Sequence, residues 1–144
     1  YDAMERHGVF ERILPSQIPK NTIPIRAHTI LKVKRDTHLR AETLKARLCA
    51  NGTTQTEGMH YTYQYTPVLR YSTKRLVLAL LSAYTVANKQ FDISSAFLHA
   101  DLDEFIIMRL PNGELVRLLK SLYGLKQSGS NCHLLLKDRL VRYG

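Results

Sequence analysis

Carboxylates are concentrated in the stretch FDISSAFLHADLDE, which runs from Phe91 to Glu104. Asp92 stands alone near its start, and the cluster of Asp101, Asp103 and Glu104 closes it. Carboxylates bind divalent cations and transfer protons, so a small metal-dependent hydrolase built from these acids is one hypothesis. From the residues alone, an acid followed by two serines is more typical of a strand end or a helix cap than of catalysis. The later cluster is typical of a solvated turn.

Cations are concentrated in a second region, between Lys20 and Arg47. Eight basic residues lie there against two acidic ones, within a chain whose net charge is +9. Such a local excess of positive charge suits the phosphates of a nucleic acid or a nucleotide. It also suits the solvated faces of ordinary strands, and charge alone does not separate the two interpretations. The basic residues are Lys20, Arg26, Lys32, Lys34, Arg35, Arg40, Lys45 and Arg47.

The composition predicts one soluble globular domain or a piece of one. The chain has 144 residues, of which 44% are hydrophobic, and no apolar run approaches the ~20 residues that a membrane span needs. Its two cysteines, Cys49 and Cys132, lack metal-ligand spacing, which favours small core residues in a reducing intracellular compartment. The first and last residues look cut from something longer, so we expect a fragment.

Alternating apolar and polar residues predict strands interleaved with helices, which is an α+β fold. A helix over residues 1–7 leads to a strand over 9–14, and prolines at 15, 19 and 24 enforce an extended connector. The polar loop at 51–65 carries three tyrosines, whose spacing is more typical of loop packing than of base stacking. Further strands are predicted at 28–35, 43–50, 91–93, 105–110 and 115–119, with a turn at 111–113 and a closing helix that carries Cys132, Leu135, Leu136 and Leu140.

Two of these elements must position the cations and the largest apolar stripe. The strands at 28–35 and 43–50 form a basic hairpin, in which Lys45 and Arg47 are two residues apart and therefore project from one face. Ser72 is the predicted cap of the clearest helix, whose apolar stripe needs a sheet or another helix to cover it. The stripe consists of Leu76, Val77, Leu80, Leu81 and Tyr84.

Five segments, in this order, resemble the reverse transcriptase domain of copia-type LTR retrotransposon polyproteins. They are LKVKRD, LKARLCANGTTQTEGMHY, TPVLRYSTKRLVLALLSAY, QFDISSAFLHADLDEFIIM and VRLLKSLYGLKQS. The opening YDAMERHGVFERILP is similar to the region before the polymerase fingers, so the resemblance covers essentially the whole chain. It implies an incomplete right-hand polymerase with mixed or antiparallel strands packed with helices. The implied parts of this partial domain, 1–144, are a lead-in at 1–27, a basic fingers hairpin and loop at 28–71, and at 72–144 a helix, the start of the palm and a following fingers or palm segment.

The resemblance further implies two-metal nucleotidyl transfer on an RNA or DNA template, with two Mg²⁺ ions, or Mn²⁺ in their place. Asp92 matches the first metal-binding carboxylate of such polymerases. Ile93 matches the neighbour whose backbone carbonyl completes a metal shell. The apolar flanks then imply a strand buried on both sides, which holds the acid in place.

On the sugar side of the nucleotide, Phe97 matches the aromatic steric gate that closes against a ribose 2′ hydroxyl. The residue type alone suits a core aromatic equally well. Ala96 is small and leaves room for the sugar. Tyr123 and Gly124 match the turn beside the nucleotide and template base, where glycine permits close backbone approach.

On the phosphate side, Lys34 and Arg47 match the fingers cations that grip the incoming triphosphate, and Lys45 is the alternative to Arg47 on the same face. Lys126 matches a residue that faces the template strand. The implied partners are an RNA or DNA template-primer, dNTPs and the remainder of the polyprotein, namely palm, thumb and ribonuclease H. No membrane partner is implied, and the implied location is intracellular, in a cytoplasmic particle or the nucleus.

The chain departs from the family pattern in one decisive motif. The other two catalytic carboxylates of the family lie in a Tyr-x-Asp-Asp hairpin, which the 144 residues do not contain. We therefore expect the chain by itself not to polymerise. After KQS the usual proline, arginine and tryptophan are replaced by Gly129, Ser130 and Cys132. The alternative hypothesis is thus a non-catalytic, basic nucleic-acid-binding remnant of a decayed element.

Overall fold

A computed structural model describes residues 2–143, with side chains from Met4 onwards. Three helices and five strands follow one another along the chain. They are α1 (Asp2–Arg6), β1 (Phe10–Arg12), β2 (Ile25–Arg35), β3 (Ala41–Ala50), α2 (Tyr71–Ala83), β4 (Asp101–Arg109), β5 (Leu115–Lys120) and α3 (Ser128–Tyr143). Within the described residues, none of the helices has the length and apolar character that crossing a bilayer requires.

The strands form one mixed sheet in the order β1-β5-β4-β2-β3. The pair β2 and β4 is parallel, and the other neighbouring pairs are antiparallel. Together with the helices, this sheet confirms the predicted α+β class. The turn at 111–113 is also confirmed, because Leu110 and Glu114 are joined by a backbone hydrogen bond of 2.8 Å across it.

The hydrophobic core lies on one side of the central strands. In β5 the buried residues Val116 and Leu118 alternate, as period-two patterning requires. In β4 the consecutive residues 106–108 are all buried, so both faces of that strand are covered there, and Ile106 and Met108 belong to the main cluster. Leu122 and Leu125, from the loop that precedes α3, complete the same cluster. The loop is therefore anchored in the core by its own apolar side chains.

The predicted basic hairpin is confirmed as β2 and β3, which pair in register over most of their length. Lys32 lies opposite Lys45, and Ile30 lies opposite Arg47. Residues directly opposite each other share a face of the ladder, and side chains alternate along each strand. One side of the hairpin therefore carries four cations, namely Lys32, Lys34, Lys45 and Arg47. Arg35 follows the bulge after Lys34 and is not one of them. The hairpin tip is tied by Asp36, whose Oδ1 accepts the backbone N–H groups of His38 and Arg40.

The predicted helix is confirmed as α2. Its predicted capping residue is wrong, and the expected sheet or helix does not cover its apolar stripe within the described residues. The helix begins at Tyr71, and the capping position is Arg70, whose side chain makes no capping hydrogen bond. The Ser72 prediction was wrong because the helix starts one residue before the serine. No residue of α2 is buried, and the predicted apolar stripe stays exposed at Leu76, Val77 and Leu80.

The strand predicted at 91–93 is wrong, and so is the burial of the acid that it carries. Residues 91–93 have no regular secondary structure, and Asp92 is exposed. A strand needs a partner for its N–H and C=O groups, and β4 and β5 pair with other strands instead. The solvated turn predicted at Asp101, Asp103 and Glu104 is also wrong, because these residues open β4.

Candidate nucleotide-binding cleft

A cleft of about 620 Å³ lies between the hairpin, the segment after Asp92 and the loop before α3. It brings together seven of the residues that the sequence predicted for the site. Its lining also includes Met4, Thr29, Ser94 and Ser95, which the sequence analysis had not selected. The predicted residues in the lining are Lys45, Arg47, Asp92, Ile93, Ala96, Phe97 and Tyr123.

The cationic wall of the cleft comes from β3. Arg47 is half-buried, and its guanidinium carbon lies 5.6 Å from the centre of the Tyr123 ring. A guanidinium over an aromatic face is held by cation–π attraction while its N–H groups stay free to donate. Lys45 is more exposed and adds a mobile point charge two residues away on the same face. The wall thus offers one oriented and one adaptable cation.

The aromatic wall consists of Phe97 and Tyr123, whose ring centres are 5.0 Å apart at an interplanar angle of 72°. This edge-to-face geometry is favourable for aromatic pairs. Phe97 lies on a short 3₁₀ turn, Ala96–His99, that starts from Ser95 in the left-handed region with φ of 54°. The buried side chain of Leu98 anchors the turn in the core, so Phe97 is directed towards the cleft.

Asp92 and Ile93 line the cleft without comparable support. Within the described residues, the Asp92 carboxylate has no hydrogen-bond or ion-pair partner. Among the side chains that the structure describes, 4–143, no group of three His, Cys, Asp or Glu is arranged to hold a metal ion. Asp101, Asp103 and Glu104 lie outside the cleft lining, so the structure overturns the hydrolase hypothesis that joined them to Asp92.

Three predicted site residues lie outside the cleft lining. Lys34 pairs with Thr43, nearer to the hairpin tip than Lys45. Gly124 has φ of 90°, and a Cβ there would collide with the backbone oxygen of Ala50, so its close approach is to β3 itself. The Lys126 ammonium donates to the backbone oxygen of Gln55 at 3.1 Å and to the Tyr61 hydroxyl at 3.2 Å. Those bonds direct it into the protein.

Sequence reasoning missed the polar groups that fasten the cleft loop. Gln55, His60 and Gln127 are buried, although their residue types are usually exposed or half-exposed. The sequence did contain a signal for these three residues, because they lie in two of the segments that resemble the family, LKARLCANGTTQTEGMHY and VRLLKSLYGLKQS. The polar residues of those segments contact one another across the fold.

The two cysteines are free thiols. Cys49 is buried, as predicted for a core residue, whereas Cys132 is only partly buried. Burial raises the pKa of the Cys49 thiol, and the nearby Arg47 guanidinium partly opposes that rise. Burial also raises the pKa of the Cys132 thiol. Both groups are therefore neutral at physiological pH and weak as nucleophiles.

Comparisons with known proteins identify the family of the chain. The family described as Reverse transcriptase (RNA-dependent DNA polymerase) matches residues 13–144. The Retrovirus-related Pol polyprotein from transposon TNT 1-94 of Nicotiana tabacum is 31% identical over 135 residues, which cover 88% of this chain and 10% of that protein. No solved structure matches the chain at a significant level.

Relatives from Saccharomyces cerevisiae give the same result. The Truncated transposon Ty1-A Gag-Pol polyprotein is 42% identical over 107 residues, which cover 69% of this chain and 9% of that protein. The Transposon Ty1-DR5 Gag-Pol polyprotein is 47% identical over 72 residues, which cover 46% of this chain and 4% of that protein. The chain thus spans at most about a tenth of the length of these relatives. Together with the motifs, the matches show that the chain belongs to the reverse transcriptase (RNA-dependent DNA polymerase) family, as it occurs in copia-type retrotransposon polyproteins.

Proposed function

We propose that the chain is the fingers and early palm of an RNA-directed DNA polymerase and that its cleft receives the incoming deoxynucleoside triphosphate. The observation that carries the proposal is the composition of a single cleft. Cations from β3, an aromatic pair and an acid meet there, although they come from three separate parts of the sequence. A nucleoside triphosphate presents phosphate oxygens, which bind cationic side chains and metal ions, and a sugar, which packs against aromatic rings.

The cationic wall suits the triphosphate. Arg47, oriented by the Tyr123 ring, offers the forked donors that bind phosphate oxygens in pairs. Lys45 neutralises further charge without a fixed geometry. Lys34 lies on the same face of the hairpin but outside the cleft, so its proposed contact is with phosphates that extend beyond the bound nucleotide.

The aromatic wall suits the sugar. Phe97 is half-buried, and its ring is braced by Tyr123 at 5.0 Å, so it resists displacement by an added 2′ hydroxyl. Ala96 lines the cleft beside it with a small side chain. This pair is proposed to favour deoxynucleotides. Gly124 is proposed to serve by bringing the Tyr123 turn close to β3.

Reverse transcriptases use divalent metals, but the described residues do not fit a resident pair of Mg²⁺ ions. Among the described side chains, the cleft lining contains one carboxylate, Asp92, and a two-metal site needs several acids close together. We propose that Asp92 and the carbonyl of Ile93 supply part of such a site and that acids from elsewhere in the polyprotein complete it. The 144 residues by themselves are then expected to show no template-dependent incorporation with Mg²⁺ or Mn²⁺.

We propose three kinds of binding partner for the chain. They are an RNA or DNA template-primer, dNTPs and the palm, thumb and ribonuclease H regions of the polyprotein. Lys126, whose ammonium is engaged by Gln55 and Tyr61, reaches a template strand only if those bonds open. An intracellular location, in a particle or the nucleus, is part of this proposal.

Salt-dependent binding of primer-template tests the proposal directly. Replacing Lys34, Lys45 and Arg47 together by glutamine should weaken binding at least ~10-fold and flatten its salt dependence, because released counterions scale with phosphate contacts. A matched control replaces three exposed cations elsewhere, namely Lys74, Lys89 and Arg139. Equal losses in both triple variants, or no binding by the original chain at low salt, would refute the hairpin as the binding face.

A second candidate is a nucleic-acid-binding remnant without chemistry, which is favoured by the presence of one carboxylate among the described side chains of the cleft. Incorporation separates the two candidates. The chain joined to the downstream polyprotein should extend a primer if the first proposal holds, and Asp92→Asn should abolish that extension. Binding without extension in the joined protein would favour the remnant.

A further inference from the structure

Two glutamines outside the cleft form a buried amide pair. Gln127 is 1% exposed and Gln55 is 5% exposed, and the Gln55 Nε2 donates to the Gln127 Oε1 at 3.0 Å. Their other polar atoms are also occupied. Gln127 Nε2 donates to the His60 backbone oxygen at 2.8 Å, and Gln55 Oε1 accepts the Lys126 backbone N–H at 2.8 Å. Neither side chain lines the cleft.

The pair joins two segments that are remote in sequence. The loop at 51–61, which follows β3, is fastened through it to the loop at 121–127, which precedes α3. The first loop is stiffened by His60, whose Nδ1 accepts the Thr56 backbone N–H at 3.0 Å. Removing one amide would leave its buried partners without hydrogen bonds, which is unfavourable.

The second loop carries Tyr123, one of the two rings of the aromatic wall. The backbone oxygen of Tyr123 accepts the Ala50 N–H at 2.7 Å, so the residue is docked against the end of β3. Gly52 and Gly124 meet backbone to backbone at the same place, where neither position has room for a Cβ. The Tyr123 ring in turn contacts both Arg47 and Phe97.

We infer that Gln55 and Gln127 are positioning residues, which hold the 121–127 loop against the 51–61 loop and thereby set Tyr123 between Arg47 and Phe97. The inference rests on the proposed function for its consequence, which is nucleotide affinity. Its structural part is independent of any ligand. The amide pair acts on the cleft indirectly, because neither glutamine is part of the lining and Tyr123 is.

The chain has no tryptophan, so Tyr123→Trp places a single fluorescent probe in the aromatic wall. In that background, Gln127→Met keeps the side-chain length and removes its hydrogen bonds. Acrylamide quenching of the ligand-free protein should then rise by about twofold, because the loop that carries the probe is no longer fastened. The matched control is Gln64→Met, at an exposed glutamine, and should leave quenching unchanged.

Unchanged quenching in Gln127→Met, with a circular dichroism spectrum like that of the parent, would overturn the inference. If that variant fails to fold, Lys126→Met decides the matter, because it leaves both glutamines in place and removes the ammonium bonds to Gln55 and Tyr61 together with the ammonium contact on the Tyr61 ring. A smaller increase in quenching is expected there. No increase in this milder variant would likewise overturn the inference.

Nucleotide affinity gives the second readout, in the chain that retains Tyr123. Binding of dATP in the presence of Mg²⁺ should weaken about fivefold in Gln127→Met, the size that one or two lost hydrogen bonds support. Undiminished affinity in a folded Gln127→Met protein would contradict positioning. If no variant and no parent binds dATP while quenching still rises, the proposed function fails and the positioning of Tyr123 stands.

Discussion

The cationic and aromatic walls together form one firm wall of the cleft, and Asp92 lies on a second wall that the chain holds less firmly. Arg47, Phe97 and Tyr123 are joined by ring contacts and by the backbone bond between Ala50 and Tyr123. Asp92, on the other wall, follows a stretch in which residues 82–91 are all exposed, and it has no partner among the described residues. The chain therefore orders its proposed phosphate and sugar contacts by itself, while it leaves the proposed metal ligand unsupported.

This difference separates the residues that are proposed to bind the nucleotide from the residue that is proposed to take part in the reaction. Groups that grip a ligand gain affinity when they are ordered beforehand, since less freedom is lost on binding. A metal-binding carboxylate holds a catalytic metal ion only when other carboxylates are positioned beside it. We expect perturbations of the first wall to affect stability and binding and perturbations of the second wall to affect neither.

The largest effect is expected from Gly124→Ala, at the docking point of the firm wall. The residue has φ of 90°, and its new Cβ would strike the Ala50 backbone oxygen. The strained conformation and the displaced backbone should together lower the free energy of unfolding by about 3–4 kcal/mol. Gly113→Ala is the control, because Gly113 has φ of 91° with open space around it, and it should lose only about 1 kcal/mol. Equal losses in urea unfolding would contradict the docking role.

Leu122→Ala should produce the next largest loss. Leu122 is completely buried beneath the Tyr123 loop, so its truncation leaves a cavity and should cost about 2–3 kcal/mol. Leu78→Ala makes the same change on α2, where the side chain is 56% exposed, and should cost less than about 0.5 kcal/mol. Chemical denaturation measures both values. A large loss for Leu78→Ala would show that α2 is covered in solution.

Asp92→Asn should change stability by less than about 0.5 kcal/mol, because the carboxylate is exposed and unpaired in the described part of the chain. Binding of primer-template should also persist. Urea unfolding and a binding titration check the two expectations. A marked loss of stability would mean that the second wall is held by contacts like those of the first.

The smallest effect concerns Cys49, which lies at the end of β3 behind the firm wall. Burial is the main reason that its pKa is raised, so at neutral pH it should react with iodoacetamide more slowly than an exposed thiol of ordinary pKa. The rate should increase as the pH rises towards that raised pKa, because the thiolate is the reacting form. The reaction, followed by mass spectrometry, should accelerate in Gly124→Ala. Rapid modification of the parent chain would show that the firm wall opens readily.

Much of the sheet was predictable because its signals are local. Period-two alternation located β2 and β3, and their pairing placed Lys45 and Arg47 on one face as expected. Local signals failed where an element needed a partner. The apolar run around Asp92 looked like a buried strand, yet no strand of the described fold pairs with it. Asp101 and Asp103 looked like a turn, yet they open β4 because that strand extends to pair with Lys120.

The sequence by itself determined the family, the α+β class, the two-faced hairpin and the residue types of the site. Those properties reside in motifs and in short-range periodicity. Only the tertiary structure decided which candidates share a cleft: it brought Arg47 beside Tyr123 and Phe97, and it turned the Lys126 ammonium towards Gln55. The physical reason is that these contacts depend on backbone approach and buried amide pairing between segments 72 or more residues apart, which no local pattern encodes.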